Sequence, residues 1–91
     1  MTTRVPPMAA LALEFEAACA PSGVIARCLR DGRLVVAPAD VDEVCRVLTE
    51  YANAEDAEAS NIATPPDLRR FARDARDQLT ALCARVRRGA A

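Results

Sequence analysis

Apolar residues recur along this chain with two different periods. Across residues 7–20, Met8, Leu11, Ala12, Phe15, Ala18 and Cys19 share one face at helical spacing. Pro7 suits a helix's first turn, and Pro21 and Gly23 bring it to a stop, so a helix over 7–20 is expected. The period then shortens. In VIARCLRDGRLVVA, two runs rich in β-branched residues flank Asp31-Gly32, a pair suited to a turn with positive φ angles. The pattern predicts a β-hairpin over 24–37, with Arg30 opposite Arg33, Leu29 opposite Leu34 and Cys28 opposite Val35. One face of that ribbon carries Ile25, Leu29, Leu34 and Val36, broken only by Arg27. The other carries Val24, Ala26, Cys28, Val35 and Ala37. A two-stranded ribbon apolar on both faces needs either covering helices or a second copy of the chain.

Helical spacing returns at residue 41. Val41, Val44, Cys45, Leu48, Tyr51 and Ala52 form a stripe, Asp40 and Glu43 have the spacing of a capping box, and the acidic NAEDAEASN is expected to fray. This predicts a helix over 41–58. After the SNIATPP connection, Thr64 is a candidate cap, Pro65 suits a first helical position and Asp67 completes a second box. Leu68, Phe71, Ala72, Ala75, Leu79, Leu82, Cys83 and Val86 then fall within an arc of about 120° on a helical wheel. The resulting helix, over 65–88 with Gly89 at its end, would be about 36 Å long at 1.5 Å per residue. That is long for so small a chain, so part of its stripe is expected to lack a partner within the molecule. Residues 1–6 read as a loose N-terminus and 90–91 as a tail. The expected fold is a single α+β domain over 7–89, ordered helix, hairpin, helix, long C-terminal helix.

Composition changes the picture in two ways. Twenty of the 91 residues are alanine, and the aromatics are only Phe15, Tyr51 and Phe71. Alanine buries little surface, so a core built this way is thin and gains from association. All twelve basic residues are arginine, with no lysine or histidine, which suggests a GC-rich coding sequence of bacterial or phage origin. Net charge is −1, but it divides unevenly: residues 1–63 hold five Arg against ten Asp and Glu, and residues 64–91 hold seven Arg against three Asp. No apolar run approaches the roughly 20 residues that span a bilayer. Glu14 and Glu16 interrupt the short apolar start, which therefore fails as a signal peptide, and a cytoplasmic location is expected.

Candidate chemistry is sparse. Cys19, Cys28, Cys45 and Cys83 are too far apart for a zinc motif and have no histidine to help, so core packing is expected of Cys45 and Cys83. Without histidine or lysine a nucleophile lacks its usual bases, and three glycines make no phosphate loop. No catalytic residue, cofactor, metal or small-molecule substrate is expected. What stands out is an arginine flank. Arg69, Arg73, Arg76 and Arg87 lie on one side of the last helix's apolar stripe with no acidic residue among them. They could face the acidic helix before it, with Asp42, Glu43 and Glu50, or bind an acidic protein partner, or contact phosphates. Against nucleic acid stand the acidic first two-thirds of the chain, the scarcity of aromatics for stacking and the long proline-containing connection, unlike a helix-turn-helix. The expected function is a non-catalytic protein–protein interaction or assembly module, self-associating and regulatory. Its surfaces would be the arginine flank, the hairpin face of Ile25, Leu29, Leu34 and Val36, or uncovered stripe on the long helix. The alternative is a small DNA-binding regulator that sets the same four arginines against phosphates.

Overall fold

The computed structural model describes residues 2–90. It is an α+β domain in which a small antiparallel sheet, a 13-residue helix and two short helical segments precede an antiparallel pair of long helices. The elements are β1 (Thr2–Arg4), α1 (Pro7–Cys19), α2 (Val24–Cys28), β2 (Leu29–Arg30), β3 (Arg33–Val35), a single 3₁₀ turn at Pro38–Asp40, α3 (Val41–Ala59) and α4 (Pro66–Ala90). The order of long elements follows the hydrophobic periods. Three local assignments change.

The hairpin is shorter than its apolar runs. Asp31 and Gly32 take φ values of 48° and 74°, as a tight two-residue turn needs, and Leu29 pairs with Leu34 and Arg30 with Arg33. Upstream of Leu29, however, the chain coils into α2 and the predicted Cys28–Val35 pairing is absent from the ladder. A helix places Val24, Ile25 and Cys28 on one buried face and turns Arg27 outward, where its Nη2 reaches Asp40 Oδ1 at 3.4 Å. A strand would have put Ile25 and Arg27 on the same side. Burial of three apolar side chains thus overrides the β-propensity of valine and isoleucine.

The N-terminus is not loose. Met1 lies outside the described residues, but Thr2–Arg4 add a third strand, pairing Thr2 with Val35, Thr3 with Leu34 and Arg4 with Arg33. The Val5 amide then donates to the Gly32 carbonyl at 3.0 Å. β3 becomes the central strand, and one of the two apolar faces is covered, while Val35 on the other stays 44% exposed. Ile25, Leu34 and Val36 are at most 1% exposed and belong to the molecule's own core, while Leu29 is half-buried against it. Three of these four residues thus lie inside the molecule rather than open at its surface as the hairpin pattern predicts.

The helix ends also differ. Asp40 makes no side-chain cap on α3, since its carboxylate faces Arg27. α3 does not fray over its acidic stretch but runs to Ala59. The Thr64 hydroxyl donates to Glu58 Oε1 at 2.9 Å rather than capping α4, which starts at Pro66 and continues through Gly89 to Ala90. Of the expected tail, Ala91 lies outside the described residues.

The core is aliphatic. Leu13, Ile25, Leu34, Leu48, Leu79, Leu82, Val36, Val44 and Val86 are fully buried together with Cys45, and no aromatic ring is among them. α3 and α4 form the main seam, and α1 lies against α4. That second contact is fixed by one side chain. Gln78 of α4 points its Oε1 at the start of α1, where it accepts from the Met8 and Ala9 amides at 2.8 and 3.1 Å. Pro6 precedes that helix without a side-chain cap, so Gln78 supplies the acceptor that α1 lacks locally. Replacing Gln78 by alanine strands two amides and is expected to destabilise the protein by about 1–3 kcal/mol in urea denaturation. Gln78→Glu keeps the acceptor at the positive end of α1 and should retain most of that stability.

Candidate functional site

Two surfaces compete as a site: the arginine flank and an uncovered apolar groove. On the flank, the structure separates the four arginines. Arg76 Nη1 lies 2.8 Å from Asp56 of α3, and its Nη2 lies 3.0 Å from Asp77. Arg87 Nη1 lies 3.1 Å from Asp42 near the start of α3. Arg69 is half-buried, with its Nε lacking a hydrogen-bond partner, and Arg73 is exposed with no ion pair among the described residues. Of the acids expected opposite the flank, only Asp42 takes part, and Glu50 pairs with Arg46 on its own helix. Exposed ion pairs contribute little to stability. Their consequence here is that two of the four charges are answered within the chain.

The groove lies where α1, α3 and α4 diverge. Its walls are Met8, Leu11, Ala12 and Phe15 from α1, Tyr51 and Glu55 from α3, and Phe71 and Ala75 from α4, around a volume of about 260 Å³. Leu11 and Phe15 are 57% and 62% exposed, and Phe71 is 42% exposed. Leu68, one turn before Phe71, is 56% exposed. This is the unpartnered stretch expected of the long helix. All three aromatic residues of the chain line this one groove.

The local causes are clear. α4 continues its apolar stripe beyond the buried Ala72 and Ala75 to Phe71 and Leu68, where the body no longer covers it. α1 buries only Ala9 and Leu13, so Leu11 and Phe15 face outward rather than joining the core as their spacing suggests. Tyr51 is half-buried, and its hydroxyl donates to Glu16 Oε2 at 2.7 Å, which ties α3 to α1 and holds the ring as a wall. Burial, followed by the Glu16 contact, pushes the Tyr51 phenol pKa up.

Glu55 is the residue that sequence reasoning passes over, because it sits in the acidic stretch expected to fray. The signal is present nonetheless. Glu55 follows Leu48, Tyr51 and Ala52 by seven, four and three positions, so it continues the apolar stripe of α3. None of the ion pairs among the described residues includes it. Its pKa is raised from the ordinary glutamate value, chiefly by burial and then by Glu58. On the far side of Tyr51, a second recess is lined by Glu16, Glu50, Tyr51 and Ala54. Neither recess has an arginine in its lining, in a chain that has twelve.

The cysteines divide by position. Cys28 and Cys45 are buried, Cys83 is half-buried and Cys19 is exposed. The Cys45 thiol donates to the Cys83 carbonyl at 3.8 Å, and burial, followed by the neighbouring Cys83 thiol, pushes its pKa up to about 11. It is an inert packing thiol at neutral pH. No cluster of three or more Cys, Asp or Glu able to hold a metal is found among the described residues, and no helix there is long and apolar enough to cross a membrane.

Fold and site together define a small α+β domain with an aromatic, carboxylate-bearing groove between three helices. Comparison with family models, curated proteins and solved structures finds no match for the chain.

Two substitutions test this description. Cys45→Ser sets a hydroxyl in an apolar position and should destabilise by about 1–3 kcal/mol in denaturant. Glu55 titrates with the opposite sign from a salt-bridged carboxylate. Its folded pKa is raised, so the charged form penalises the folded state at neutral pH, and that penalty fades as pH falls through the folded pKa toward the ordinary value of 4.5. Glu55→Gln should therefore raise the melting temperature at pH 7, and the gap from wild type should close below the ordinary glutamate value. A variant less stable than wild type at pH 7 would contradict the burial assigned to Glu55.

Proposed function

We propose that this chain is a non-catalytic protein-interaction module whose working surface is the groove between α1, α3 and α4. The observation that carries the proposal is the location of the aromatics. A folded chain short of large apolar side chains gains most by burying its rings, yet this one leaves both phenylalanines open at a single place. Aromatic side chains are enriched at interface hot spots, where a few anchors provide most of the binding energy. The groove is below the roughly 300–1,000 Å³ of ordinary ligand pockets, a size that favours one or two partner side chains over a small-molecule substrate.

Self-association is one form of this function, with the groove in place of the hairpin as the contact. Light scattering at tens of micromolar would then give a mass above 9.7 kDa for the wild type and 9.7 kDa for a Phe15→Ala/Phe71→Ala double variant. A regulatory role would follow from what the groove recruits. The DNA-binding alternative would depend on Arg69 and Arg73, since Arg76 and Arg87 already have carboxylate partners.

The double variant tests the proposal directly. Both rings are partly exposed, so their loss should lower stability by about 1–3 kcal/mol and leave the protein folded. Peptides selected on the wild type from a displayed random library should lose binding to the double variant. If both proteins select and bind the same peptides, the groove is not the working surface. Duplex DNA binding at physiological salt that is lost in Arg69→Ala/Arg73→Ala, and unchanged in the double variant, would support the alternative instead.

A further inference from the structure

We propose that the groove recognises a segment of another protein through one arginine or lysine, with its aliphatic stem against Phe15 and Phe71 and its cationic head at the Glu55 carboxylate. The inference rests on the groove being the interaction surface, and names what enters it.

Three features point to a cation. Glu55 is a half-buried carboxylate on an apolar wall, without an ion pair among the described residues. A charge held in that position is costly unless a counter-charge meets it. The surrounding rings supply a second attraction, since the faces of Phe and Tyr carry partial negative charge that draws cationic side chains. Finally, the neighbouring recess across Tyr51 adds the Glu16 carboxylate, which has no ion pair among the described residues, on the α1 side of the groove. Arg46 answers Glu50 at 2.7 Å, and the Tyr51 hydroxyl already engages Glu16, which leaves Glu55 as the carboxylate open to a partner.

The same features select among occupants. An anionic membrane or nucleic acid would be repelled by these carboxylates. A wholly apolar helix would fill the groove but bury Glu55 without a partner, a penalty that an arginine removes. Arginine fits better than lysine, because its planar head stacks on rings, is less strongly hydrated and can bind a carboxylate through two nitrogens. Discrimination by charge is thus built into a surface whose affinity comes from apolar contact.

The test uses the full chain and three short helix-forming peptides. Each has leucines at helical spacing around a central position occupied by arginine, by its uncharged isostere citrulline or by glutamate. Tyr51 is the only tyrosine, and the chain has no tryptophan, so intrinsic fluorescence reports from the wall of the groove itself. The arginine peptide should bind about tenfold or more tighter than the citrulline peptide, and the glutamate peptide weakest of all. In Glu55→Gln the arginine and citrulline peptides should bind alike, while apolar binding persists. Equal binding of the two to wild type, an unchanged arginine preference in Glu55→Gln, or no binding by any peptide up to millimolar concentration would overturn the inference. Binding of all three that is unaffected by Phe15→Ala/Phe71→Ala would instead remove the groove as the interaction surface.

Discussion

The structure depends on a mismatch of length. α4 spans 25 residues, about 38 Å at 1.5 Å per residue, and α3, its main partner, has only 19. Along their common length the apolar stripe of α4 is closed, with Ala72, Ala75, Leu79, Leu82 and Val86 at most 2% exposed. Before Ala72 it is not. The uncovered first turns bring Leu68 and Phe71 to the surface, and α1 is the only other long helix against them. Because α1 is held at its start by Gln78 and along its length by Tyr51, its outer residues complete the groove instead of sealing it.

The division of side chains follows from that geometry. The aliphatic residues close the core, the rings gather at the open end of the seam, and Glu55 enters where α3 carries its stripe past the last covered position. The arginine flank has a different part. Arg76 and Arg87 bridge α4 to the two ends of α3, and exposed pairs of this kind add little stability to the apolar seam between them.

Much of this is legible in the sequence, and what is not has a physical cause. The long helices show because their periodicity persists over many residues, and the turn shows because Asp31-Gly32 matches one backbone geometry. The segment Val24–Cys28 misleads, since a short apolar run fits a strand or a helix and only the partners across the core decide. β1 is hidden for a similar reason. Three residues carry no period, and the strand exists because β3 offers an open edge to pair with. The uncovered part of α4 follows from its length alone, but the contribution of α1 does not, because outward and inward apolar positions look the same before the packing is known. Glu55 lay in plain view at stripe spacing, concealed by the acidic residues around it.

The sheet has a place in time as well as in space. α3 and α4 are adjacent in sequence and joined by a short connection, so their seam closes a small loop of chain and can form early. β1 must instead bring residues 2–4 to residues 33–35 across the whole of α1 and α2, and it offers three pairings in return. The strand is therefore expected to be secured after the helical seam and given up before it. Its amides should exchange with solvent while those of the helical seam are still protected.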